Sequence, residues 1–549
     1  MRAAIIGLLL WAPLAQAADA RPLPGQVVWQ QPAPGRTCTG LAYDGERLWV
    51  ADHGRDQLLA VDPASGAVSK RLTAPGYRPA GLAHDGEQLW CVDVQQARLF
   101  RLRTSDGLNT RSIPAPVAVP RALAYDGQAL WVSDDESSSI HRVDPADGTT
   151  ISQVPFPGKS VDGLAHDGRY LWVSDRLADA LYAVHTASGE VVVTLDAPGP
   201  HTTGLGFDGQ RLLAVDYQTD ALYALRRDAD EHVLRSEPRE AWVEFTHQVR
   251  NFGPGALPEV DVYLAVPGAR RSQDLLEGPR FEPAPAERTA DRWGQPVALF
   301  SFTDLAAGDA ATVRMRARVR SWAVDHVVYP HQVEGLWEIP AEIRRRYLAD
   351  APKYDIEHEV IQKAVEQGVG AEKNPYWIAR NIYRHIHERM HYELVGGWDV
   401  APKVLERGSG SCSEYAFVFI AMCRAAGLPA RYVGSLVVRR DHASYDDVFH
   451  RWAEVYLPPY GWVPVDPSRG DKPSEAERAD GFGHLSHDFL ITTAGGGGSE
   501  MLDWNYNHNH RYTCRDRCRV EVESIAEWSP EDPRKPPGKT GGDETVTDQ

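Results

Sequence analysis

After residue 20 the chain has no apolar run approaching the ~20 residues that a bilayer span needs, which excludes a multi-pass membrane protein. Positive charge is also short, with 58 Lys and Arg against 76 Asp and Glu and a net charge of −18. A phosphate backbone draws its binding energy from clustered cations, so nucleic acid is not the expected partner. Hydrophobic residues at 43% and charged residues at 24% exclude a collagen-like or wholly disordered chain. What is plentiful is Trp (16), Gly (47) and Pro (39), a mix of aromatic strands and turns that predicts a β-dominated protein. At about 150 residues per domain, 549 residues imply three or four domains.

Arg2, the apolar stretch Ile5 to Leu14 and the small-residue site Ala15-Gln16-Ala17 predict a signal peptide over residues 1–17. About 10 apolar residues are too few for a membrane anchor, and no cysteine stands where a lipid anchor needs one. The mature chain is expected to be periplasmic or secreted.

Self-similarity organises the first half. The phrase Gly40-Leu-Ala-Tyr-Asp-Gly45-Glu-Arg-Leu-Trp49-Val-Ala-Asp52 returns at Gly81, Ala122, Gly163 and Gly204, in steps of 41 residues. Each unit reads as four short strands with an Asp-Gly hairpin, which is a β-propeller blade. The segment from Gly25 to Pro34 matches the outermost strand of a unit, one period early. Pairing it with the incomplete last unit closes five blades over residues 25–229, with a sixth, degenerate blade as the alternative. Trp49, Trp90, Trp131 and Trp172 are expected to pack between blades rather than to form a ligand cage. Arg36, Arg78, Arg121, Asp162 and His201 vary between units at one rim and are the candidate binding residues there. The Leu-Trp-Val-x-Asp strands resemble those of NHL-type propellers, which implies at most a protein or glycan ligand for this region.

From Ala241 alternation replaces the repeat, in Trp242 to Val249, Val260 to Val266, Ala298 to Phe302 and Thr312 to Val319. This predicts a small, Ig-like β-sandwich over residues 236–330, serving as a spacer. Beyond it the pattern turns helical, with Asn374-Pro375 as a helix start and Ile378, Ile382, Ile386 and Met390 on one face.

Gly408-Ser-Gly-Ser-Cys412 then opens an apolar helix that ends at Gly427 before Pro429. A helix N-terminus favours the thiolate, the nucleophilic form of Cys412. Cys423, on the same face three turns deeper, reads as a buried hydrophobe. His450 to Leu457 and Trp462 to Asp466 read as a hairpin that folds about residues 458–459, placing His450 nearly opposite Asp466. Nucleophile, base and orienting carboxylate would then be adjacent. His442, in a polar loop, is the less suitable base.

The blocks Gly-x-Cys412-x-Glu-x-Ala with Arg-Ala-x-Gly-x-Pro-Ala-Arg431, His450-x-Trp-x-Glu-Val and Gly-Trp-x-Pro-x-Asp466-Pro resemble the transglutaminase-like superfamily of papain-fold enzymes. The resemblance implies an α+β catalytic domain over residues 338–512. It implies Cys412 as nucleophile, His450 as general base and acid, and Asp466 as the orienting residue. It also implies two oxyanion donors, the Cys412 amide and an upstream side chain, for which Tyr392 and Trp398 are candidates.

With Cys412 as a nucleophile, five cysteines remain, so at least one more is unpaired unless chains are bridged. Cys514 and Cys518 form either a local disulfide or, with His508 and His510, a zinc site; the spacing favours the former. Cys91 stands where other repeats carry valine and reads as a packing residue, while Cys38 has no reading. Residues 528–549 read as a disordered tail. The expectation is therefore a secreted cysteine acyl-transfer enzyme acting on peptide or isopeptide amides, foremost a peptidase or amidase. Alternatives are a transglutaminase that passes the acyl group to an amine, and a silent scaffold. No metal or cofactor is expected, calcium included.

Overall fold

The structure is a computed structural model that describes residues 22–394, 398–438, 444–530 and 532. The leader expected over residues 1–17, His442, and the expected tail at residue 531 and from residue 533 onward lie outside these residues. Strand makes up 48% of the structure and helix 13%.

Each 41-residue phrase folds as a four-stranded antiparallel sheet, the second being Pro79–His84, Leu89–Asp93, Arg98–Leu102 and Asn109–Pro114. The Asp-Gly pairs make the first hairpin. Gly45 and its counterparts take φ between 93° and 97°, a conformation that a side chain disfavours. The preceding aspartate accepts two backbone N–H groups of the turn and, through its second oxygen, the indole N–H of the repeated tryptophan. For Asp44 and Trp49 that distance is 2.7 Å, for Asp85 and Trp90 2.8 Å. The last repeat has Leu213 instead, and Arg211 takes the place on Asp208 at 2.7 Å. The four tryptophans are fully buried, so their role is packing together with this one hydrogen bond.

The innermost strands run side by side in a ring, with Cys38–Tyr43 next to Pro79–His84 and so on, until Thr202–Phe207 meets Cys38–Tyr43 again. Four of the five carry a glycine at the repeat's first position, where a side chain at Gly40 would come within 2.0 Å of the Ala80 carbonyl oxygen. Val27–Pro32 pairs with Ala221–Arg226 and completes the last sheet. Among the described residues no sheet closes on itself; the ring is made of separate sheets.

The next unit differs from the spacer expected over residues 236–330. Its strands form two facing sheets, and each takes a strand from the far C-terminus. His508–Tyr512 pairs with Leu257–Ala265, and Cys518–Ser529 pairs with Val233–Pro254. The core between the sheets, built from Phe245, Val262, Phe300 and Val313, includes Trp528. Two expected boundaries are thereby corrected. Residues 508–512 belong to this two-sheet unit rather than to the helical domain, and residues 528 and 529 are strand rather than tail. Val520, Val522, Ala526 and Trp528 fall on alternate positions, a period-two signal that the sequence carried.

Among the described residues the C-terminal unit holds six α-helices: α1 (Ala341–Tyr347), α2 (Glu359–Gly368), α3 (Pro375–Arg389), α4 (Ala401–Arg407), α5 (Cys412–Ala425) and α6 (Glu475–Ala479). Asn374 caps α3, its side chain accepting the N–H groups of Tyr376 and Trp377. Helix α5, buried from Cys412 to Arg424, lies against α2, α3 and α4 and against a sheet ordered Gly461–Val465, His450–Leu457, Ala430–Val437, Phe489–Gly495. The ring docks on this unit through polar contacts. Arg380 donates to the Val191 carbonyl (3.1 Å), Arg384 pairs with Glu190 (3.0 Å), and the Ala476 N–H donates to the Pro157 carbonyl (2.8 Å).

Candidate active site

Cys412 is the first residue of α5, and its surroundings are fixed by Glu414 in the first turn. That carboxylate is buried and accepts the Ser411 N–H (3.0 Å) and the Asp399 N–H (3.1 Å), while pairing with Arg407 (2.9 Å). The N-cap amide of α5 is thus satisfied and the segment before α4 is tied to the same carboxylate, with Cys412 at the N-terminus of the helix.

His450 is the first residue of its strand. It follows Phe449, whose φ of 62° is an uncommon conformation for a bulky residue. Asp446 holds that bend by accepting the Phe449 and Val448 N–H groups at 3.2 Å. The bend aims the imidazole at α5, with its ring parallel to Phe489 at 5.1 Å.

His450 Nε2 and Asp466 Oδ2 are 2.7 Å apart. The strands pair Ala453 with Val465 and Leu457 with Gly461, because three residues, not a two-residue turn about 458–459, connect them. Asp466 therefore does not face His450 across the sheet, as expected, but sits two register positions away. It closes the gap by leaving the strand to cap the turn Pro467–Arg469. Its Oδ1 accepts the Ser468 N–H (3.1 Å) and hydroxyl (2.6 Å), leaving Oδ2 for the histidine.

With Nε2 engaged by Asp466, the imidazole acts on the Cys412 thiol, favouring its thiolate form. Burial is the largest influence on Cys412 and works against a thiolate. It is outweighed by the His450 hydrogen bond and charge, the Arg451 guanidinium and the Arg451 N–H, which hold the thiol below its usual range. Burial likewise disfavours a charged His450, but Asp466 and Cys412 raise it to about 10. Asp466, pushed up by burial, is held below the usual carboxylate range by His450, Ser468 and Arg469. The lowered thiol and the raised imidazole both favour a thiolate–imidazolium pair, each charge stabilising the other.

The other free cysteines have the opposite environment. Burial pushes Cys38 up to about 12 and raises Cys91 and Cys423 further. Cys38, unexplained by sequence, packs where the last sheet of the ring meets the first, beside Leu213 and Val215. Cys514 and Cys518 are disulfide-bonded, so neither sulfur is free for the alternative zinc site. Among the described residues no group of three or more His, Cys, Asp or Glu is placed to hold a metal ion.

Iodoacetamide labelling checks this ordering. The rate at Cys412 is expected to level off well below pH 8.5, where an ordinary thiol would still gain about tenfold per pH unit. A rise that continues to pH 8.5 contradicts it.

Tyr392 is held beside the nucleophile by a short parallel pairing, with His391 opposite Ser409 and Tyr392 opposite Gly410. Its phenol is within electrostatic reach of Cys412. Burial, then the Cys412 and Asp466 charges, raise the phenol pKa, which keeps its proton available for donation. Trp398 instead lies 5.4 Å under the Arg451 guanidinium. Arg451, Glu414 and Ser468 are site residues that sequence reasoning missed; an arginine and a serine one and two positions from a candidate residue carry no distinguishing pattern.

The rim residues do not form one cluster. Arg121 pairs with Asp135 (2.7 Å) and reaches toward buried Asp162 (3.7 Å), which also meets Arg176 (3.0 Å). Arg36 and Arg78 are exposed, and His201 packs on Tyr217 at 5.6 Å.

The model of the transglutaminase-like superfamily matches residues 362–467, the span from α2 to the turn that Asp466 caps. Residues 362–467 are a transglutaminase-like domain. A second model, that of the outer membrane protein assembly factor BamB, matches residues 136–249, a propeller-like repeat region that runs on into the Val233–Pro254 strand. An uncharacterized protein of Haemophilus influenzae is 27% identical over 147 residues, 22% of this chain and 38% of that protein. A protein-glutamine gamma-glutamyltransferase of Pseudomonas aeruginosa is 30% identical over 117 residues, 18% of this chain and 17% of that protein. The chain thus spans well under half of these curated relatives. The solved structure of a candidate cysteine protease from Cytophaga hutchinsonii covers 54% of this chain and 99% of its own, at 16% identity and a TM-score of 0.39. No helix among the described residues is long and apolar enough to cross a membrane.

Proposed function

We propose that this chain is a cysteine acyl-transfer enzyme acting on peptide or isopeptide amide bonds through Cys412, His450 and Asp466. The observation that carries the reading is the 2.7 Å hydrogen bond between His450 and Asp466 beside Cys412, the one free cysteine whose thiol is held below its usual pKa.

In this reading the Cys412 thiolate adds to the amide carbonyl, and the oxyanion is held by the Cys412 N–H and the Tyr392 hydroxyl. As the C–N bond breaks, His450 gives its proton to the leaving amine and a thioester remains. Water then adds to the thioester, His450 takes its proton, and the thiolate leaves. Asp466 keeps Nε2 protonated, so the other ring nitrogen exchanges the proton with sulfur and substrate. Tyr392 is preferred to Trp398 as the second donor because its strand pairs with the segment leading into Cys412, whereas Trp398 packs on Arg451.

A second reading, an amine in place of water, is favoured by the name of the Pseudomonas aeruginosa relative. A glutamine peptide offered with a labelled primary amine separates the two. Free acid product without label supports the hydrolase; label incorporation that disappears in Cys412→Ala replaces it with a cross-linking enzyme. A catalytically silent scaffold would have no reason to hold a thiolate.

We further read the ring of sheets as a five-bladed propeller and the two-sheet unit as Ig-like, the propeller binding a protein or glycan ligand at Arg36, Arg78, Arg121, Asp162 and His201. The disulfide between Cys514 and Cys518 supports a periplasmic or secreted setting, since such bonds persist in oxidising compartments.

A further inference from the structure

A cavity of about 310 Å³ lies where the turn before the Gln273–Glu282 strand of the two-sheet unit meets the sheet of the transglutaminase-like domain, on the face turned away from α5. Its floor is a closed ion pair. Arg431 and Glu454 are cross-strand partners joined at 2.6 Å, with the guanidinium 4.2 Å over the ring of Trp462.

Arg270 is different. Among the described residues its guanidinium makes no hydrogen bond or ion pair, and its Nε is buried without a partner. The carboxylate within electrostatic reach is Glu454, already taken by Arg431, and burial followed by the Arg431 charge pulls Arg270 below the usual arginine range. Beside it the buried Nδ1 of His326 also lacks a partner, and burial holds this imidazole at about 4, so it is neutral. A partly buried cation with no counter-charge is costly, and an unfilled polar atom next to it adds to that cost.

The turn that carries Arg270 is rigid. The Gln273 side chain accepts the Ile491 N–H (2.7 Å) and donates to the carbonyls of Ile491 (2.9 Å) and Gly268 (2.7 Å), tying the turn to the neighbouring sheet. The cation is thus presented at a fixed place and not on a mobile loop. Trp462, Leu485 and Ile491 give the cavity an apolar part of its lining. One unpaired guanidinium, one neutral imidazole and a nearby glutamate suit a single negative charge and disfavour a dianion.

We propose that this cavity is a second ligand site, which binds a small organic monocarboxylate with its carboxylate on Arg270 and its apolar part against Trp462. The site is separate from Cys412. Glu454 is four residues along the strand from His450, and Ala453 and Val455, on the other face, pack in the core that contains α5.

Calorimetric titration of the full chain with 3-phenylpropionate tests this, with 3-phenylpropanamide as its neutral isostere and inorganic phosphate as the dianion control. One saturable site is expected, with the acid bound at least about tenfold more tightly than the amide or phosphate. Arg270→Gln should lose that preference, while Cys412→Ala binds as the native chain does, so the result is independent of the proposed reaction. Absence of saturable binding of the acid, equal binding of acid and amide, tighter binding of phosphate, or an unchanged preference in a folded Arg270→Gln overturns the proposal. The acid and amide comparison on the native chain decides the matter even if Arg270→Gln does not fold.

Discussion

Asp466→Asn is expected to lower turnover by roughly 10³- to 10⁴-fold, the scale seen when the orienting carboxylate of a nucleophile–histidine–acid triad is replaced by its amide. Asp466 Oδ2 accepts from His450 Nε2 at 2.7 Å, while Oδ1 is occupied by the Ser468 N–H and hydroxyl. An asparagine keeps Oδ1 for Ser468 and turns its NH₂ toward the histidine. That forces the proton onto the ring nitrogen facing Cys412, which can then no longer accept from the thiol. The Asp466 charge, the main counterweight to burial in raising His450, is lost at the same time. Steady-state turnover and the pH profile of Cys412 alkylation check this together: slow turnover with the alkylation plateau moved to higher pH is expected, at an unchanged melting temperature. Full activity in a folded Asp466→Asn would remove the aspartate from the mechanism.

The second large effect is on stability. Arg424 lies near the end of α5, buried, with no carboxylate partner, and its guanidinium donates to three backbone carbonyls. These are Ala430 (2.7 Å), Gly496 (2.6 Å) and Ala349, and the group also lies 4.6 Å over the ring of Tyr354. It joins α5, the following strand, the segment after α1 and the glycine-rich loop. Arg424→Met keeps most of the volume and leaves those carbonyls without a donor. A loss of about 3–5 kcal/mol is expected, from charge-assisted hydrogen bonds removed and buried acceptors orphaned. Urea unfolding followed by near-UV circular dichroism measures it; a change below about 1 kcal/mol would contradict the bonding described.

How much of this was legible in the sequence depends on how local each signal is. The 41-residue period could be read because every repeat restates the same turn, Asp-Gly, and four of the five restate the same buried tryptophan. Cys412, His450 and Asp466 could be read because each stands at the edge of an element with recognisable ends: a Gly-Ser loop before α5, and a Pro-Pro-Tyr-Gly turn between two strands. The exact register could not, because a third loop residue shifts Asp466 by two positions, and only the capping of Pro467–Arg469 brings the carboxylate back. The pairing of Cys518–Ser529 with Val233–Pro254 joins segments more than 260 residues apart, which no local pattern specifies. Arg451 acts on Cys412 through its charge and its N–H, and Glu414 through the amides it holds around the helix start, and residue type alone reveals neither role. Arg270 is a similar case: an arginine in a turn reads as a solvated surface residue until the opposing sheet encloses it.

The central claim is that acyl transfer runs through a thioester on Cys412, and trapping that species tests it most directly. The native chain is mixed with the p-nitrophenyl ester of an N-protected glutamine, quenched in acid within the first turnover and analysed by intact mass and peptide mapping. One acyl group on Cys412 is expected, removable by hydroxylamine and absent from Cys412→Ala. An acyl group on another residue, or turnover retained by Cys412→Ala, would contradict the account.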